Sequence, residues 1–158
     1  MISPQPHIRK LISALMTFPS PKHDLKDLVV LVVEDQEIIR KIVLRVLKDL
    51  GITDVRCFKN GKEGLTFLAK HQVHLIIAEF GGHLDSLRML ETLRASPDPM
   101  ITNMGFIMLV PHPHRKEVER VREAGADAVV SEPISPRVLA EHIDVVAVRL
   151  WDRLIGQR

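Results

Sequence analysis

From residue 28 onward, short apolar runs alternate with segments of helical period, and this order constrains the fold more than any other feature. "LVVLVV" (28–33) has no polar interruption, as befits a strand covered on both faces. Ile38, Ile39, Ile42, Val43, Val46, Leu47 and Leu50 then predict a helix that stops at Gly51. "DVRCF" (54–58) reads as a short strand, and residues 60–70 as a helix capped by Asn60. Strands at 74–78, 105–110 and 127–131 are each followed by a helix, at 85–95, 115–124 and 135–155. Five strand–helix pairs in strict order predict an α/β fold, with a doubly wound parallel sheet of five strands.

Ahead of this series, Ile8, Leu11, Ile12, Leu15 and Phe18 fall on one face of an amphipathic helix over residues 3–18. "PSP" at 19–21 ends it. The chain therefore divides into an N-terminal helix and linker (1–27) and an α/β domain (28–158). A length of 158 residues suits one such core.

Several function classes are disfavoured. No apolar run reaches the ~20 residues a membrane helix requires. The N-terminus lacks the pattern of a signal peptide. The single cysteine, Cys57, cannot form an intramolecular disulfide and fits a reducing cytoplasm. The formal net charge is +2, and residues 1–27 carry it: Arg9, Lys10, Lys22 and Lys26 outnumber Asp24 and Asp27 by two. The expected folded body is neutral, which argues against nucleic acid.

In an open parallel sheet the functional crevice lies at the carboxyl ends of the strands. The residues there are Glu34 and Asp35 after the first strand, Glu79 after the third, Pro111 after the fourth and Glu132 after the fifth. Four carboxylates would converge. Like charges ~4 Å apart repel by about 4 kcal/mol at an effective dielectric near 20. A cation among them, a proton on one of them, or a Glu132 turned to solvent would each relieve this. His83, His112 and His114 lie in adjacent loops and could add imidazole ligands for a transition metal.

"LVVLVVEDQEIIRKIVLRVLKDLG", "NGKEGL", "HLIIAE", "LRMLETLR", "REAGADAVV" and "EPIS" together resemble a response-regulator receiver domain of the CheY type, over about residues 28–150. The resemblance implies a flavodoxin-like (βα)5 fold and a role in bacterial two-component signalling. It implies phosphoryl transfer from a histidine kinase to an Asp ending strand three, with Mg²⁺ held by two acidic residues after strand one. A Thr or Ser ending strand four, a Lys ending strand five and an aromatic residue within strand five complete that machinery.

Position by position, Glu34 and Asp35 match the acidic pair, and the rest departs. Glu79 stands at the phospho-acceptor position, Pro111 at the hydroxyl position, Glu132 at the Lys position and Val129 at the aromatic position. A Glu carboxylate overshoots the in-line position that the transfer needs. A Glu for the Lys also places an anion where a cation is required. The expected protein is a non-enzymatic pseudo-receiver that needs no cofactor. Lacking an output domain, it would act through a protein partner, such as a histidine kinase or a chemotaxis protein. The alternatives are a receiver that binds Mg²⁺ or another divalent cation at Glu34, Asp35 and Glu79, or a cyclic-dinucleotide effector using Arg115, Arg120, Arg122, Arg137, Arg149 and Arg153.

The last helix suggests the contact surface. Leu139, Ile143, Val146, Leu150 and Leu154 form the stripe the sheet should bury. Val145, Val148, Trp151 and Ile155 lie on another side, among Asp144 and Asp152, and suggest an interface. The N-terminal helix could cover them in the same chain or across a homodimer.

Overall fold

A computed structural model describes residues 25–81 and 83–155; the expected N-terminal helix falls outside them. A single 3-10 turn, Leu25–Asp27, leads into the sheet. The strands are β1 (Val29–Val33), β2 (Asp54–Phe58), β3 (Leu75–Glu79), β4 (Gly105–Val110) and β5 (Ala128–Ser131). The helices are α1 (Glu37–Asp49), α2 (Gly61–Leu68), α3 (Ser86–Arg94), the single-turn α4 (Pro99–Thr102), α5 (Arg115–Glu123) and α6 (Pro136–Ile155). All strand pairs are parallel, in the order β2-β1-β3-β4-β5. The expected five-stranded flavodoxin-like sheet is therefore observed.

The period of two along each strand sends neighbouring side chains to opposite layers. Val30, Val32, Leu75, Ile77, Ile107 and Leu109 face a core closed by Val43 and Leu47 of α1 and by Leu139, Ile143, Val146 and Leu150 of α6. Leu31, Val33, Ile76, Ala78, Phe106 and Met108 face a second core closed by Met89, Leu90 and Leu93 of α3 and Val121 of α5. The continuous apolar runs follow from this double coverage. α6 packs so close to the start of β4 that a Cβ on Gly105 would lie 2.9 Å from a methyl group of Val146.

Local chemistry sets the element ends. Asn60 Oδ1 accepts from the Glu63 N–H at 2.9 Å and caps α2, as expected. Asp85, expected within the third helix, is left-handed (φ 54°) and precedes it. α4 was not expected; Asp98 caps it by accepting from Met100 N–H, and Pro99 occupies its first turn. Ile38, counted in the apolar stripe of α1, is instead 75% exposed in the helix's first turn. Among the described residues no helix is long and apolar enough to cross a membrane.

Candidate functional site

The strand order reverses at β1, which has β2 on one side and β3 on the other. This is the switch point where such sheets open a crevice. Val33 is in register with Ala78, so Glu34 and Glu79 follow at one level. Glu79 is itself the last residue of β3 and pairs with Leu109 of β4. β5 joins the site through its continuation, where Glu132 N–H donates to Val110 O at 3.0 Å.

The two members of the expected acidic pair have different surroundings. Glu34 is fully buried. Its Oε1 accepts from Gln36 N–H at 2.8 Å, at the entrance of α1, and so sits at the positive end of the helix dipole. Its backbone carbonyl accepts from Arg40 at 3.2 Å. Asp35 is exposed, and its Oδ2 lies 2.9 Å from Nε2 of His83. Ligand oxygens of Glu34, Asp35 and Glu79 all lie within 4.8 Å of one another.

Glu79 is only 2% exposed. Both of its carboxyl oxygens, Oε2 of Glu34 and Oε1 of Glu132 are buried without a hydrogen-bond donor among the described residues. Glu132 therefore turns its carboxyl inward, and the expectation that it might escape to solvent is corrected. Burial first, and then the Glu34 and Glu132 carboxyls beside it, push the Glu79 pKa up to about 9. Glu132 is also raised, mainly by burial; the charge of Glu34 adds to this, whereas contact with Glu79 and the charge of His112 oppose it. Without a cation, Glu79 thus keeps a proton at neutral pH, one it can share with its neighbours.

The donor set fits a hard divalent cation such as Mg²⁺, since it offers only carboxylate oxygens, several of them lacking partners. Of the three histidines, His83 engages the cluster through Asp35. His114 occupies the N-cap position of α5 and makes no capping bond with its side chain. Gln36 and Arg40 were not singled out from sequence. Gln36 acts through its backbone N–H, which any residue there would provide, so only the short spacing from Glu34 to the helix start could have signalled it.

Two further positions named from the sequence, Pro111 and Val129, are packing residues. Pro111 is half-buried just past β4. Val129 pairs with Met108 and leans on the second core. On α6, Val145 and Val148 are exposed as expected. Trp151 is not part of that outer stripe: it is half-buried against the first core, its ring 6.1 Å from that of His74. The side chain of Ile155 falls outside the described residues. Arg115 and Arg137 pair with Glu119 and Glu141 one turn on, and Arg153 reaches Asn103 O and Asp127.

Residues 30–144 match the profile of the response regulator receiver domain. The chain is 26% identical to the probable chemotaxis protein CheY of Rhizobium etli over 118 residues, covering 74% of this chain and 90% of that protein. It is 23% identical to chemotaxis protein CheY-3 of Vibrio cholerae, covering 79% and 95%. The receiver domain of a signal transduction histidine kinase from Syntrophus aciditrophicus superposes with a TM-score of 0.67 at 26% identity, covering 75% and 89%. A response regulator from Chloroflexus aurantiacus shares the fold with a TM-score of 0.69 at 21% identity, covering 76% and 97%.

Proposed function

The chain belongs to the response regulator receiver domain family, and from that premise we propose that it is a degenerate receiver that signals by protein contact without ordinary phosphorylation. The family is a signalling module that interacts with histidine kinases and other signalling proteins and binds Mg²⁺ at an acidic pocket. One observation carries the reading: the carboxyl of Glu132 is turned into the site beside Glu79, where the family keeps a lysine. A phosphoryl group on Glu79 would add close to two negative charges next to Glu34 and Glu132. Transfer requires an ionised, in-line nucleophile and cations on the phosphoryl oxygens. Here the acceptor has an extra methylene and holds a proton, and one cation is replaced by an anion.

The test is incubation of the full chain with acetyl phosphate and Mg²⁺, followed by intact mass. No mass change is expected; gain of one phosphoryl group on Glu79 would sink the reading. The exposed side of α6 around Val145 and Val148 is the surface we assign to the partner.

The second reading, a receiver that senses a divalent cation, is favoured by the closeness of Glu34, Asp35 and Glu79. Those three would hold the ion, which when bound neutralises charge on the oxygens around it. A ligand of the native state raises the melting midpoint. Equal midpoints in EDTA and in Mg²⁺, Mn²⁺ or Zn²⁺ would dismiss this reading.

A further inference from the structure

Five large apolar side chains are well exposed among the described residues, and three of them, Val138, Val145 and Val148, lie on α6. Spacings of seven and three residues put them on one face of that helix. The opposite face, Leu139, Ile143, Val146 and Leu150, is already used by the sheet. The outer face also carries Asp144 and Asp152, which have no ion-pair partner among the described residues.

We propose that residues 8–18 of the same chain form a helix that lies along this face and covers Val138, Val145 and Val148. The N-terminal stripe of Ile8, Leu11, Ile12, Leu15 and Phe18 is apolar and helical in period, and a lone helix of this length is marginal in water. It therefore requires an apolar surface. Arg9 and Lys10 flank the stripe and complement Asp144 and Asp152 in sign.

Reach favours the same molecule over a second copy. The chain enters the sheet at Leu25, which packs against the core that α6 covers. Val29 N–H donates to His74 Nδ1 at 2.9 Å, and the His74 ring neighbours Trp151 of α6. The entry point is thus beside the last turns of α6. Residues 19–24 can span roughly 20 Å when extended. Along the helix axis, Val148 lies about 5 Å and Val138 about 20 Å from Trp151. A helix from Ile8 to Phe18 is about 15 Å long, which matches the rise from Val138 to Val148. A short tether holds the segment at roughly millimolar effective concentration.

The docking stands on these observations alone. Its consequence, that the segment competes with a partner for α6, rests on the assignment of this face to the partner.

The test uses the full chain with Cys57, an exposed thiol, replaced by Ser. Ser13→Cys is combined with Arg149→Cys, and the pair is bridged by a short bismaleimide. The expected product is an intramolecular cross-link whose yield is independent of protein concentration. Its yield should exceed about tenfold that of a control pairing Ser13→Cys with Lys62→Cys on the other side of the sheet. Adding Leu11→Asp and Leu15→Asp should lower it by a similar factor, while the melting of the sheet domain stays cooperative. Equal yields in test and control would overturn the docking, and so would a yield unaffected by the aspartates. A product of twice the mass that grows with concentration would instead show a second copy as the occupant, and would equally overturn it. Failure here leaves the degenerate-receiver reading standing, because that is judged separately by the intact mass after incubation with acetyl phosphate and Mg²⁺.

Discussion

The two ends of one sheet treat buried charge in opposite ways. At the amino end, Arg94 and Asp127 are 19% and 8% exposed. Arg94 donates to the carbonyls of Gly125, Thr102 and Met104 and to Asp127 Oδ2, which also accepts from Phe106 N–H. The buried pair is neutral and surrounded by partners. At the carboxyl end, Glu34, Glu79 and Glu132 share one sign, and four of their oxygens lack a donor among the described residues. The first arrangement pins the end of α3 to the starts of β4 and β5. The second holds nothing together, and so its persistence needs a proton or a cation. A buried ionic group is thus structural where its partners are complete and points to a ligand where they are not.

The largest effect should come from breaking the satisfied end. Arg94→Ala takes the buried cation from Asp127, leaving it Phe106 N–H and the half-exposed Arg153, and strips the donor from the carbonyls of Gly125, Thr102 and Met104; urea unfolding should show a loss of about 3–5 kcal/mol. A loss below about 1 kcal/mol would erase the contrast.

The next effect has the opposite sign. Glu79 has a folded-state pKa of about 9 against an ordinary 4.5, so between those values the folded state holds a proton that the unfolded chain has released. In EDTA, stability should be full below about pH 4.5, fall by up to about 1.4 kcal/mol per unit through that window, and level off above about pH 9. Glu79→Gln should nearly match the wild type at pH 5 and exceed it by up to about 4 kcal/mol at pH 8. Identical melting profiles would show that Glu79 is ionised without difficulty.

Smaller still, Glu132→Lys gives the carboxyl end the cation that the amino end already has. It should raise stability by about 1–2 kcal/mol, or roughly 3–6 °C in Tm. No change would mean that residue 132 does not face the cluster. Smallest of all, His83→Ala removes an exposed partner of Asp35 and should cost less than about 1 kcal/mol. A larger loss would make His83 part of the buried site.

The amino-acid sequence shows the sheet plainly, because strands covered on both faces must be apolar throughout. It also places Glu34, Glu79 and Glu132 together, since parallel strands deliver their carboxyl ends to one edge. It does not show which way Glu132 turns. That depends on side-chain packing around a strand end, which no local pattern encodes. Nor does it separate buried Glu34 from exposed Asp35; adjacent residues look alike until the strand gives way to loop. Trp151 was misplaced because its large ring reaches inward from the flank of its helix. α4 escaped because one turn is too short for a period, although Asp98 followed by Pro99 is a helix-start signal.

Among the described residues β5 is an edge strand of four residues, hydrogen-bonded on one side alone, and Glu132 continues directly from it. Glu34 directly follows β1 and Glu79 ends β3, and both of those strands are held on both sides. Of the three carboxyls gathered at the pocket, the one on the margin is thus the one whose backbone has least to hold it.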